Sequence, residues 1–93
     1  MAIFPSPAHT NASTKANEIS LVFGRNVKRM RTDQGLNKKS FALICGISRP
    51  LLDEIESGTS DVRLSYVQRI ADALSVNPSH LLASSSSDFK PLL

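Results

Sequence analysis

Residues 46–58 read GISRPLLDEIESG, and the way this stretch divides decides the fold. A glycine, an apolar residue and a serine open it, and a second glycine closes it. Gly46 suits the end of a preceding helix, because a residue without a Cβ enters the left-handed region at no steric cost. Ile47 is expected to tuck into a core. Ser48 is expected to cap the next helix, its hydroxyl satisfying an amide that has no partner within the helix. Pro50 is tolerated just inside that helix for the same reason, since an amide in the first turn has no bond to lose. Leu52 and Ile55 face inward and Gly58 ends the segment. A helix is therefore predicted at about 49–57, joined by a tight turn to another before it.

Working outward, Asn37 suits the N-cap of that earlier helix, predicted over Lys38 to Cys45 with Phe41, Ala42 and Cys45 inward. Before it, Ile19, Val22, Phe23, Val27 and Met30 recur at helical spacing, and Gly35 supplies a C-terminal stop. Beyond Gly58, Leu64, Val67, Ile70, Ala71 and Leu74 form the stripe of a fourth helix. Asn77 and Pro78 restart the chain as cap and first helical residue of a fifth, over Ser79 to Ala83, where Leu81 and Leu82 close the core. No segment alternates with period two, so strands are not expected. The prediction is an all-α, compact five-helix bundle over residues 18–83 containing a helix-turn-helix. Residues 1–17 read as a flexible arm and residues 84–93 as a serine-rich tail.

The chain has 93 residues, enough for one small domain with one modest core. No apolar run of about 18 residues exists, so a membrane span is not expected, and the first residues lack the pattern of a secretory signal. Cys45 is the single cysteine, which forbids an internal disulfide and fits a reducing cytoplasm. Its inward position makes it a packing residue rather than a redox sensor. His9 and His80 stand apart from any ligand cluster or nucleophile, so neither a metal, a cofactor nor a catalytic site is expected. The net charge of +3 conceals an asymmetry. Residues 15–49 carry eight cations against two acids, a balance of +6, and residues 50–93 carry three against six, a balance of −3. A basic half suits a polyanion, because neutralised phosphates release counterions.

The run from Phe23 to Leu82 resembles the Cro and phage-repressor type helix-turn-helix family, often called the XRE family and lambda repressor-like in fold. The likeness rests on Gly24, Arg31, Gly35-Leu36, Ala42, Gly46-Ile47-Ser48, Ile55-Glu56, Gly58 and the run Ile70-Ala71-Asp72-Ala73-Leu74. The ending EIESGTSDVRLSYVQRIADAL is similar to small stand-alone members such as restriction-modification controller proteins.

The resemblance implies roles residue by residue. Arg31 and Glu56 stand where the family often has a partly buried ion pair between the first helix and the end of the third. Lys38 takes the place of a phosphate-binding glutamine, with Lys39 beside it, and Ser57, Thr59 and Ser60 lie where phosphate contacts follow the third helix. Asn37 and Ser48, the two caps, complete that phosphate-facing set. Base readout falls to the outward positions Arg49, Pro50, Leu51, Asp53 and Glu54. Arg49 suits guanine O6 and N7, or alternatively a phosphate. Leu51 suits a thymine methyl, and Pro50 stiffens the helix start. Asp53 and Glu54 depart from the commoner polar or basic residues. Each accepts from cytosine N4 or braces Arg49 one turn away. Leu43 and Ile44 depart too, since polar residues are usual there. They suit either a partner surface or a widened core, and the widened core is preferred.

The implied function is a sequence-specific transcriptional regulator, a repressor acting as a homodimer on double-stranded DNA, cytoplasmic and bacterial or phage-encoded, with no small-molecule ligand. The alternative on the same fold is a protein-interaction module resembling an antitoxin or anti-repressor partner.

Overall fold

The computed structural model describes residues 18–84. The expected arm at 1–17, and all of the expected tail except Ser84, lie outside the described residues. The chain forms α1 (Glu18–Asp33), α2 (Lys38–Cys45), α3 (Arg49–Ser57), α4 (Leu64–Leu74) and α5 (Pro78–Leu82), with no strand among the described residues.

The helix ends follow from local chemistry. Asn37, Ser48 and Asn77 cap α2, α3 and α5, their side-chain oxygens accepting from the amides of Ser40, Leu51 and Ser79. Gly46 and Gly58 close α2 and α3 in the left-handed region, at φ 71° and 80°. α4 ends in the same conformation without a glycine. Ser75 takes φ 59°, and the amides of Ser75 and Val76 bond back to the carbonyls of Asp72 and Ala71.

Five helices this short are held by packing more than by propensity. Phe23 and Val27 of α1, Phe41 of α2, Leu52 and Ile55 of α3, Ile70 and Leu74 of α4 and Leu81 of α5 meet in one buried cluster. Each large side chain in it contributes about 1.5–3 kcal/mol relative to exposure. α1 crosses α3 at close range, and Gly24 permits it. A Cβ at Gly24 would overlap the Ile55 carbonyl oxygen and reach within 3.2 Å of that of Glu56.

Polar side chains fasten the frame where helices run out of backbone partners. Asn26, fully buried on α1, donates from its amide nitrogen to the carbonyls of Leu81 at 2.8 Å and Ala83 at 3.0 Å, closing the end of α5. Gln34 donates to the Leu74 carbonyl at 2.8 Å and ties the end of α1 to the end of α4.

The apolar stripes are narrower than their spacing implies. Ile19 is 52% exposed and Leu64 80% exposed. Both sit in the first turn of their helices. Leu82 also stays exposed, leaving Leu81 to close the core. Leu43 and Ile44 are 75% and 58% exposed, so the widened core expected at α2 is not formed. α2 buries Phe41, Ala42 and Cys45, and residues between those positions turn outward on a 3.6-residue helix.

Candidate nucleic-acid interface

The α2–α3 corner is built from backbone bonds that its sequence makes possible. With Gly46 left-handed, the Ile47 amide returns to the Ala42 carbonyl at 3.0 Å, and the Leu52 amide reaches the Ser48 carbonyl at 3.1 Å. Ile47 is half-buried against the core and fixes the angle between the two helices. The Gly46 carbonyl does not go unused: Arg69 of α4 donates to it from Nη1 at 3.2 Å, with its guanidinium 5.3 Å from the Tyr66 ring centroid.

α3 is pinned from behind. Arg31 donates from Nε to Oε2 of Glu56 at 2.7 Å and from Nη2 to Oε1 at 3.0 Å, and from Nη1 to the Leu36 carbonyl at 2.7 Å. The two side chains are 7% and 4% exposed. The Glu56 carboxylate raises the Arg31 pKa above the ordinary guanidinium range through these hydrogen bonds, against the opposing effect of burial. Glu56 is thereby withdrawn from the outer face.

Arg49, Pro50, Asp53 and Glu54 lie exposed on that outer face, whereas Leu51 is half-buried and packs against the core. Leu51 is thus less available than its outward position implies. One oxygen of Asp53 meets cations from both helices: it accepts from Lys38 Nζ at 3.0 Å and lies 3.8 Å from Arg49 Nε, one turn away. The hydrogen bond from Lys38, aided by both positive charges, holds the Asp53 carboxyl below the usual carboxylate range. No cation pairs with Glu54 among the described residues.

The remaining candidates flank this face. Lys39 and Arg49 border a shallow hollow of about 220 Å³ floored by Ala42, Leu43 and Ile47. At the far end of α3 the hydroxyls of Ser57 and Thr59 lie 3.0 Å apart, and that of Ser57 donates to the Glu54 carbonyl. Ser60 is half-buried in the following loop. Asn37 and Ser48 are exposed, and their cap bonds use only the side-chain oxygens as acceptors.

Arg69, Asn26 and Gln34 escaped the sequence reading, because each bonds a carbonyl far away along the chain. Asn26 did leave a signal. A polar residue between Phe23 and Val27, on the inward stripe of α1, stays buried only with hydrogen-bond partners.

Two capped helices crossed at a left-handed glycine, the second with a polar outer face, have the geometry of a helix-turn-helix, and likeness to known members makes the chain a DNA-binding transcriptional regulator of that class. The helix-turn-helix family profile matches residues 27–81, and the chain belongs to that family. Control protein C.BamHI of Bacillus amyloliquefaciens is 34% identical over 67 residues, covering 71% of this chain and 83% of the relative. The crystal structure of the restriction-modification controller protein C.AhdI from Aeromonas hydrophila superposes with a TM-score of 0.64 at 29% identity, covering 67% of this chain and 94% of that one. A hypothetical transcription factor NHTF from Neisseria gives a TM-score of 0.71 at 25% identity over 76% of this chain and 84% of that one. No helix among the described residues is long and apolar enough to cross a membrane.

Proposed function

We propose that the protein binds double-stranded DNA as a homodimer, lays α3 in the major groove and represses by occupying its operator, with no chemistry of its own. The observation that carries this reading is the outer face of α3. Arg49 and Glu54 project from a helix capped at both ends and clamped from behind by Arg31. Arg49 reads guanine O6 and N7, and Glu54, with Asp53 beside it, offers an acceptor to cytosine N4. Pro50 and the exposed part of Leu51 give apolar contact. Phosphates are met by Lys38 and Lys39, by the donors that Asn37 and Ser48 keep after capping, and by Ser57, Thr59 and Ser60 past the end of α3.

The likeness to C.BamHI and C.AhdI extends the proposal to control of a restriction-modification system in a bacterial or phage-encoded, cytoplasmic setting. A dimer face is offered by Ile19, Leu64 and Leu82, which with Phe23 and Val67 line an apolar groove of about 180 Å³. Two-fold use of such a face places half-sites about one helical turn, roughly 34 Å, apart.

Selection of bound duplexes from a random pool tests the reading. The unsubstituted protein should enrich a site with two half-sites, and Arg49→Ala should lose about 1–3 kcal/mol of preference at one base position. Unchanged preference in Arg49→Ala removes the assignment of Arg49. No salt-dependent retention at low salt, on random duplex and on the selected pool alike, removes DNA binding altogether. That last result would favour the second reading, a protein-interaction module, for which the exposed Leu43 and Ile44 supply the apolar surface.

A further inference from the structure

We propose that Asp53 is a built-in competitor of DNA phosphate: it holds Lys38 and Arg49 in intramolecular pairs and so sets the margin between specific and non-specific binding. The proposal rests on the DNA-binding reading above and assigns to Asp53 a job in addition to the acceptor it offers a base.

The geometry is specific. The two cations come from the first turns of α2 and α3, yet they converge on one oxygen, Oδ1 of Asp53. Lys38 is the nearer, at 3.0 Å, and Arg49 stands at 3.8 Å. All three side chains are accessible to solvent, between 36% and 53% exposed. Pairs this open are weak and screened, so they hold the cations only until a better partner arrives. A carboxylate among cations presents the same sign of charge that a phosphate would. On a random duplex, then, Lys38 gains a phosphate only by leaving Asp53, and Asp53 is left facing the phosphate field uncompensated. The two changes oppose each other, and non-specific attraction is held down. At a cognate site the exchange differs. Arg49 leaves a single long contact for two hydrogen bonds on a guanine edge, which a random sequence does not offer in register. Asp53 thus penalises every duplex similarly and lets only the correct one compensate.

Glu54 provides the internal control for random-duplex binding, where no base is read. It lies on the same exposed face, carries the same charge, and has no paired cation among the described residues. The full-length chain carrying Asp53→Asn is compared with Glu54→Gln and with Asp53→Asn/Lys38→Ala. Binding to a random duplex and to the selected operator is measured across a salt series. Both single variants remove one negative charge, but only Asp53→Asn frees Lys38 and Arg49.

The expected result is a several-fold gain in random-duplex affinity for Asp53→Asn beyond that of Glu54→Gln, with a fall in the ratio of operator to random binding. The slope of log K against log salt should steepen by about 0.9, the release of one further counterion. Lys38→Ala in that background should return the slope. Equal gains in the two single variants mean that charge alone acts, and they overturn this proposal while leaving the DNA-binding reading intact. Absence of any duplex binding by the unsubstituted protein overturns both. Far-UV circular dichroism of each variant confirms that the comparison is made between folded proteins.

Discussion

Arg31 of α1 and Glu56 of α3 meet in two parallel hydrogen bonds, and the same guanidinium holds the Leu36 carbonyl in the loop between α1 and α2. One side chain therefore references α3 to the rest of the bundle. Removing either partner leaves the other charge buried alone, which costs about 3–5 kcal/mol. Urea unfolding of Arg31→Ala and Glu56→Ala should show losses of that size. Replacing both residues with methionine should cost less than the two single losses added, because no orphaned charge remains. A single-variant loss below about 1 kcal/mol, the level of an exposed pair, would refute this account.

Gly24 sets the distance between α1 and α3. A methyl there meets the backbone of Ile55 and Glu56, which cannot swing aside as a side chain would. Gly24→Ala gains helix propensity on α1, about 1 kcal/mol, yet forces the helices apart at a cost of about 1–3 kcal/mol or more. A net lower melting temperature is expected, together with weakened operator binding as α3 shifts. A more stable Gly24→Ala protein would show that the crossing is looser than described.

Cys45 lies buried in the core cluster, and burial pushes its thiol up from the ordinary value to about 11. A folded-state pKa above the unfolded one favours the protonated, folded form. Its stabilising effect is complete below the unfolded thiol pKa and is lost as pH rises from about 9 towards 11. At pH 8 the native thiol should resist alkylation and react only in step with unfolding. Cys45→Ala should remove the thiol's share of the alkaline loss, at a cavity cost at neutral pH. Rapid labelling of the native protein at pH 8 would contradict this placement.

Ser75 closes α4 in a conformation that carries a penalty for any residue with a Cβ, at φ 59°. Its side chain is exposed, so a glycine there gives up little packing. Ser75→Gly should raise stability by up to about 1 kcal/mol, read as a higher denaturation midpoint with unchanged slope. Gly58→Ala is the reverse case and should destabilise, because a Cβ at Gly58 also runs into Leu21.

Much of this frame was legible locally. The caps at Asn37, Ser48 and Asn77 and the stops at Gly46 and Gly58 act within a few residues of themselves, so the order of amino acids carries them. The ion pair of Arg31 and Glu56 was legible only through family resemblance, since 25 positions separate the partners. Periodicity overstated the core at Ile19 and Leu64, because spacing records which face a residue occupies and not whether another helix reaches it. Spacing left Leu43 and Ile44 outside the inward face of α2, and the preference for a widened core misjudged them by treating apolar character as burial. On the outer face, the sequence showed Asp53 one turn from Arg49 but not Lys38 above them. That contact depends on the crossing angle of α2 and α3, which no single segment encodes. Gly24 left a faint mark: a glycine inside an otherwise helical stripe points to a close approach.

Asn26 is an early residue whose bonds to Leu81 and Ala83 reach across 55 and 57 positions. During synthesis α1 is made long before the carbonyls it is to hold. The donor end of that amide is costly to bury without those carbonyls, so α1 is expected to settle into its final packing only after α5 has cleared the ribosome. The domain is then expected to close in one late step rather than grow helix by helix, and a nascent chain halted before Leu81 should remain open to proteases however much of its helix-turn-helix has been translated.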